Sequence, residues 1–287
     1  MESANPIYIL AKSNGCPNPT HRVFAVDQSG KRKELLIVGE IPLTLKIDGV
    51  ELVRLMTLGN HPKELALGYL RNQGFIREIE EIASVAVDWE NETVNVVAKR
   101  KGGMRHQQSK SSIPTVTSGC GQGTLFDRTL ESLYRYRFPK VSLRQSIIFT
   151  LLKEITQYNQ IYRKAGAVHG CGLCQESKLL MFAEDVGRHN AADAISGRMW
   201  LGGISGEDKI LYTTGRLTSE IILKAARMRI PVLLSRSGIT YLALEIAQDL
   251  GLTVIGRAKG RRHLIYNGAE NIVFDALDKD TENKCYA

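Results

Sequence analysis

Three short apolar runs in the second half of the chain restrict its fold more than any other feature. KILYT (209–213), PVLLS (231–235) and LTVIG (252–256) follow one another at intervals of about twenty residues. The stretches between them, TGRLTSEIILKAARM and RSGITYLALEIAQDLG, have helical spacing of apolar residues. Apolar strands separated by amphipathic helices run parallel, with right-handed crossovers. The pattern predicts a βαβαβ unit whose third strand leads into RAKGRRHLIYN. Sheets of this type bind ligands beyond the carboxyl ends of their strands.

Those ends carry Thr214-Gly215-Arg216 and Ser235-Arg236-Ser237-Gly238. Each loop offers small residues, a hydroxyl, a cation and a helix N-terminus whose free N–H groups favour an anion. One such loop alone reads as an ordinary capped turn, whereas two side by side make an anion site an equal reading. The third strand ends in Arg257-Ala258-Lys259-Gly260-Arg261-Arg262-His263. Beside the two loops, this basic turn reads as a phosphate or pyrophosphate site rather than a solvated charge run.

Three further stretches carry chemistry. FAEDVGRHNAADAISG (182–197) gathers Asp185, Arg188, His189 and Asn190 within six residues. The group can bind a polar ligand, or it can be a helix start capped by Asp185, and spacing supports both equally. AVHGCGLCQES holds His169, Cys171 and Cys174 as H-x-C-x-x-C, which suits zinc or a redox pair. No fourth ligand is identifiable, and although Glu176 follows Cys174 by two, the P-C-x-x-C of a zinc deaminase is absent. Buried strand cysteines are therefore the favoured reading. PTVTSGCGQG (114–123) places Cys120 among small polar residues that bury little, so this thiol is expected to be reachable.

The first half is built differently. LLIVGEIPLTLKIDGVELVRLMT (35–57) alternates around IDGV as a β-hairpin, and NHPKELALGYLRNQG reads as a short helix between Pro62 and Gly74. VAVDWENETVNVVAK supplies a second hairpin turning at Asn91, and Ser142 with Gln145 suggests a capping box on a later helix. The expected layout is a small α+β domain over 1–110, a flexible region carrying Cys120 over 111–139, and an α/β domain over 140–287. The second domain is expected as a three-layer α/β/α arrangement on a mostly parallel sheet.

The five cysteines, Cys16, Cys120, Cys171, Cys174 and Cys285, are odd in number and scattered. That fits a reducing compartment better than a disulfide framework. No basic leader with a cleavage site and no bilayer-length apolar run is present, so the expectation is a cytoplasmic protein away from membranes. A net charge of +8 points to an anionic partner without choosing among nucleic acid, a nucleotide-type cofactor and an acidic protein. Cys16 and Cys285 lie near the two ends and read as incidental.

In combination these stretches are distinctive. EIPLTLKIDGVELVRLMTLGNHPKELALGYLRNQGFI, the S-x-C-G loop, EDVGRHNAADAISG, the run from TTGRLTSE to IGRAKG, and HLIYNGAENI occur in this order from about residue 35 to 273. Together they resemble the FdhD/NarQ family, with D-V-G-R-H-N the most specific piece. The resemblance implies a formate dehydrogenase accessory protein, a sulfurtransferase that takes persulfide sulfur from a cysteine desulfurase. The acceptor would be the molybdenum guanine dinucleotide cofactor of formate dehydrogenase, with GDP as a mimic. A homodimer is implied, as is a second domain similar to the cytidine deaminase fold; nucleic acid is not an expected partner.

Carried over by position, the resemblance makes Cys120 the persulfide cysteine and Arg257 to Arg262 the cofactor-binding loop, with Asp185 to Asn190 as the family motif. Gly215, Arg216, Ser235 and Ser237 join that cofactor site from the strand ends. Three departures stand out. The family's C-G-x-C is here Cys120-Gly121-Gln122-Gly123, its helix lysine is Ala194, and an aromatic residue that often leads its basic loop is missing from RAKGRR. A lone Cys120 holds a persulfide but cannot release it through an intraloop disulfide, so Cys171 or Cys174 becomes a candidate resolving thiol. The rivals are a cofactor-binding chaperone without sulfur transfer and a zinc-dependent hydrolase on a deaminase-like fold.

Overall fold

The computed structural model describes residues 18–99, the backbone of 115–116, residue 133, and residues 136–276. Cys120 and the loop around it, Cys16 and Cys285 lie outside the described residues. The chain opens with a two-stranded antiparallel ribbon, β1 (Thr20–Val26) with β2 (Arg32–Val38). A second hairpin follows, β3 (Ile41–Ile47) with β4 (Val50–Thr57). Its turn residues Asp48 and Gly49 have φ of 49° and 82°, the conformation a tight hairpin demands. The expected hairpin over 35–57 is thus split in two. Gly39 passes so close to His21 that a Cβ there would sit 2.9 Å from the imidazole, and residues before it pair backwards with β1.

α1 (Pro62–Gln73) matches its expected limits. Pro62 sits in its first turn, and Gly74, at φ 74°, donates its N–H to the Leu70 and Arg71 carbonyls. β5 (Ile82–Asp88) and β6 (Thr93–Ala98) form the other anticipated hairpin, and β7 (Thr115–Val116) completes a sheet of order β5-β6-β3-β4-β7. Leu43, Leu45, Val53, Leu67, Leu70 and Val94 are almost fully buried between this sheet and α1.

The second unit continues with β8 (Leu143–Arg144), α2 (Gln145–Ile155), α3 (Gln160–Ala165), β9 (His169–Gln175) and β10 (Lys178–Asp185). After these come α4 (Arg188–Leu201), β11 (Ile210–Thr213), α5 (Ser219–Arg227), β12 (Val232–Ser235) and α6 (Tyr241–Leu250). β13 (Thr253–Lys259), β14 (Arg262–Asn267) and β15 (Ile272–Val273) finish the described chain. The expected capping box is absent, because β8 pairs with β15 where Ser142 would have begun the helix. Asp275 caps α2 instead, accepting from the Ser146 N–H at 2.9 Å and the Ser146 hydroxyl at 2.6 Å.

The large sheet runs β10-β9-β11-β12-β13-β14. α2 covers one face, and α4, α5 and α6 cover the other, giving the three layers expected. The sheet is mixed rather than mostly parallel. β11, β12 and β13 are parallel to one another, whereas β9 is antiparallel to both of its neighbours and β14 is antiparallel to β13. Connection length decides this: helical crossovers join the parallel strands, while tight turns join β9 to β10 and β13 to β14. RAKGRRHLIYN is therefore the tip and return strand of a hairpin, turning at Gly260 with φ 59°.

α1 and α4 fasten the two units together. A Cβ on Gly68 would lie 1.7 Å from the Asp193 carbonyl oxygen, and one on Gly197 would lie 1.9 Å from that of Glu64. The two backbones touch where neither helix carries a side chain. Beside the crossing, the buried Asp193 carboxylate accepts from Asn72 at 2.7 Å and from Lys224 at 2.6 Å, and Ser196 donates to Asn72 at 3.1 Å. Among the described residues no helix is long and apolar enough to cross a membrane.

Candidate functional site

Strand register brings the separated motifs to one edge of the large sheet. Thr213 stands opposite both Cys171 and Ser235, and Asp185 stands opposite His169. β13 runs past Ser235 into the basic hairpin, so its overhang rises from the same edge. Asp185 to Asn190, His169, the loops after β11 and β12, and Arg257 to Arg262 thus converge beyond the carboxyl ends of the parallel strands, as expected for such sheets.

Some of these residues hold the edge together. Both Asp185 oxygens are occupied: one by the Thr57 hydroxyl at 2.5 Å and the Leu58 N–H at 3.2 Å, the other by the Gly187 N–H at 3.1 Å and the Asn190 amide at 2.9 Å. Asn190 also donates to the Met56 carbonyl at 2.7 Å. Burial raises the pKa of Asp185, and the four donors oppose that shift. Ser235, fully buried, donates to the Gly215 carbonyl at 2.7 Å and accepts from the Ser237 N–H at 2.9 Å. Ala258 packs into the core beneath α2. The Asp185 carboxylate, the Asn190 amide N–H and the Ser235 hydroxyl thus make hydrogen bonds within the scaffold, and Ala258 is buried.

The two βα loops act as one. Leu217 donates to the Gly238 carbonyl, Thr240 donates back to Leu217, and Arg257 donates to the Ser237 carbonyl at 2.8 Å. The cations of the hairpin divide between its faces. Arg261 lies over the Phe149 ring at 5.0 Å and His263 stands 5.7 Å from the same ring, both on the α2 side. Alternation along the strand turns Arg262 to the opposite side, with Lys259 across from it. The seven-residue run is thus not one basic patch.

The charged centre of the edge is Arg188 with Arg216. Burial, and then the Arg216 cation, lower the pKa of Arg188. Glu220, whose field favours the Arg188 cation, is itself paired with His189 and Lys224. Burial, then Arg188 and Arg216, also lower the pKa of His169, whose Nδ1 lies 3.3 Å from the Thr214 hydroxyl. Two guanidiniums, neutral imidazoles and helix N-termini make an edge receptive to anions.

The H-x-C-x-x-C stretch does not converge. Cys171 faces the α4 to α6 layer and Cys174 faces α2, because residues three apart on a strand point to opposite sides. Both are fully buried, and burial pushes each thiol up to about 12. They cannot share a zinc ion, and neither forms a ready thiolate to resolve a persulfide. Ala194, where the family resemblance leads one to expect lysine, packs in the apolar core under α4.

Comparison with known proteins agrees with this architecture. The FdhD/NarQ family model matches residues 38–273, which is most of the chain. The chain belongs to the FdhD/NarQ family. Among FdhD/NarQ relatives, the sulfur carrier protein FdhD of Bacillus pumilus is 32% identical over 237 residues, covering 82% of this chain and 90% of its own length. The protein of the same name from Bacillus subtilis is 30% identical, with 82% and 90% covered. A crystal structure from Desulfotalea psychrophila, assigned as a formate dehydrogenase accessory protein, superposes with a TM-score of 0.72 at 27% identity. That match covers 88% of this chain and 98% of the other.

Sequence reading missed several residues that build this edge. Thr57 and Leu58, which lock Asp185, belong to a strand end in the other unit, and no local pattern ties them to it. The Asp193–Lys224 pair did leave a signal, since each charge stands in an apolar helical stretch where an unpaired charge is too costly to bury.

Proposed function

We propose that this chain is a sulfur carrier that serves formate dehydrogenase, with Cys120 as the carrying residue. The observation that supports it is the anion-receptive edge around Arg188 and Arg216, on a chain whose relatives are named sulfur carrier proteins. In this reading the Cys120 thiolate attacks the terminal sulfur of a cysteine desulfurase persulfide. The donor's S–S bond breaks, the desulfurase leaves as a thiolate, and Cys120 keeps the persulfide. The sulfur acceptor is the molybdenum guanine dinucleotide cofactor, a substrate whose phosphates would lie against Arg188, Arg216 and the hairpin cations, with GDP as a partial mimic. A cytoplasmic homodimer, its second unit similar to the cytidine deaminase fold, belongs to the same proposal.

Intact-mass spectrometry after incubation with a cysteine desulfurase and cysteine tests this reading. A sulfur adduct of about 32 Da that disappears in Cys120→Ala is the expected result. A protein that binds GDP but takes up no sulfur would instead support the second reading, a cofactor-binding chaperone. Gly123, in place of a second loop thiol, favours that alternative. Formate dehydrogenase activity in a host carrying Cys120→Ala separates the two, being lost for the carrier and kept for the chaperone.

A further inference from the structure

Asp185 and Asn190 grip three consecutive residues at the end of β4. The Asn190 amide donates to the Met56 carbonyl at 2.7 Å, while one Asp185 oxygen accepts from the Thr57 hydroxyl at 2.5 Å and the Leu58 N–H at 3.2 Å. The other Asp185 oxygen takes the Asn190 amide at 2.9 Å and the Gly187 N–H at 3.1 Å, directly before Arg188. The Thr57 oxygen also accepts from the Gly59 N–H at 3.2 Å, which aims its own proton at the carboxylate. Thr57 is 1% and Asp185 7% exposed, so the lock is closed to solvent. A buried carboxylate is a weak source of stability, since apolar packing of the same shape does as well; what several directed donors add is one fixed alignment.

The strand beside β4 shows what this alignment controls. β7 runs parallel to β4, with Thr115 opposite Arg54 and Val116 opposite Leu55. Both strands therefore point toward Thr57 and the edge that carries Asp185. Cys120 comes four residues after Val116 and thirteen before Leu133, which is buried in the core of the second unit. An extended chain spans at most about 3.5 Å per residue, so Val116 tethers the Cys120 backbone to within about 14 Å, whereas Leu133 allows about 45 Å. The shorter tether governs, and it is anchored to β4.

We propose that Thr57 is a positioning residue for sulfur transfer: by closing on Asp185 it registers the β4–β7 pair, from which the Cys120 segment departs, against the Arg188 end of α4. The tether confines the thiol to a small volume, and the lock places that volume at the anion edge. One is thereby held at high effective concentration beside the other. Valine at position 57 would set a methyl against a buried charge, so the strand end would have to part from the carboxylate. The inference rests on the sulfur-carrier reading of Cys120 and adds to it a residue of the small unit.

The test is the rate at which iodoacetamide alkylates Cys120 in the full-length protein, read by peptide mass spectrometry with and without saturating GDP. In the parent, bound GDP is expected to slow alkylation at least about fivefold, because thiol and nucleotide share the edge. Thr57→Val should cut that protection to less than about twofold while GDP affinity stays the same, and Thr57→Ser, which keeps the hydroxyl, should restore it. A Gly-Ser pair inserted after Thr117 leaves the lock intact, lengthens the tether by about 7 Å and should lower the protection as well. Equal protection in Thr57→Val, the insertion variant and the parent overturns the positioning role and leaves the carrier standing, as does a parent that binds GDP and shows no protection. If Cys120 takes up no sulfur from a desulfurase while protection behaves as expected, the carrier reading falls, and the purpose assigned to the lock falls with it.

Discussion

The Thr57 hydroxyl donates to the Asp185 carboxylate over 2.5 Å, joining residues 128 positions apart in the two units. Thr57→Val keeps the shape and removes the donor, leaving a buried carboxylate oxygen one bond short. The expected cost is about 1–3 kcal/mol of stability, read as a lower urea midpoint with unchanged slope.

Gly68→Ala and Gly197→Ala drive a methyl into facing backbone that cannot retreat. Each should cost about 3 kcal/mol or more. Gly238→Ala is the control, since a Cβ there meets nothing within 4 Å, and its melting temperature should stay close to that of the parent protein.

Stability should fall on the acid side because of His189. Burial, then Lys224, Arg188 and His169, hold its folded pKa at about 2, far below the ordinary 6.5 of a histidine. Between those values the unfolded chain binds more protons than the folded one, so stability rises with pH across that window. Each unit of pH below 6 costs up to about 1.4 kcal/mol from this residue. His61, His169 and His263, also held below their ordinary values, add in the same direction. Urea titrations between pH 5 and pH 7 should give a shallower pH slope for His189→Gln than for the parent.

The Arg188–Arg216 centre and the α2 side of the basic hairpin should separate in binding. Arg188→Ala and Arg216→Ala each remove a charge-assisted contact and should weaken GDP affinity roughly tenfold. Arg261→Ala, whose guanidinium lies against Phe149 on the α2 side, should change it by less than about twofold. Calorimetry on the three variants checks the ranking.

Cys171 and Cys174 should resist alkylation in the native protein at pH 8 and react only after unfolding, because burial suppresses both thiolates. Sulfur release from Cys174→Ser at the parent rate would agree with this; a slower rate would restore it as a resolving thiol.

Much of this molecule was legible in order along the chain. The strand and helix alternation from Ile210 to Val254 gave the parallel core of the large sheet, and Pro62 with Gly74 bracketed α1, because these signals act over neighbouring residues. The β13–β14 hairpin was hidden because the cations of RAKGRR interrupt the apolar alternation that marks a strand. The opposite facing of Cys171 and Cys174 follows from strand geometry once β9 is known, but H-x-C-x-x-C spacing alone suits a turn equally well. The lock between Thr57 and Asp185 was beyond reach, since two sheets had to be placed before the residues could meet.

The glycine crossing of α1 on α4 has a mechanical consequence. Gly197 and Arg188 lie on one helix, separated by about 14 Å of rise. At its start α4 presents a cation to the ligand edge, and further along it is clamped to the small unit's helix with no side chain as cushion. Such a joint has little compliance: a push on the small unit is transmitted along a stiff rod and reaches Arg188 as displacement, instead of being dissipated in a hinge. A protein that grips the small unit would therefore have its hand on the binding edge.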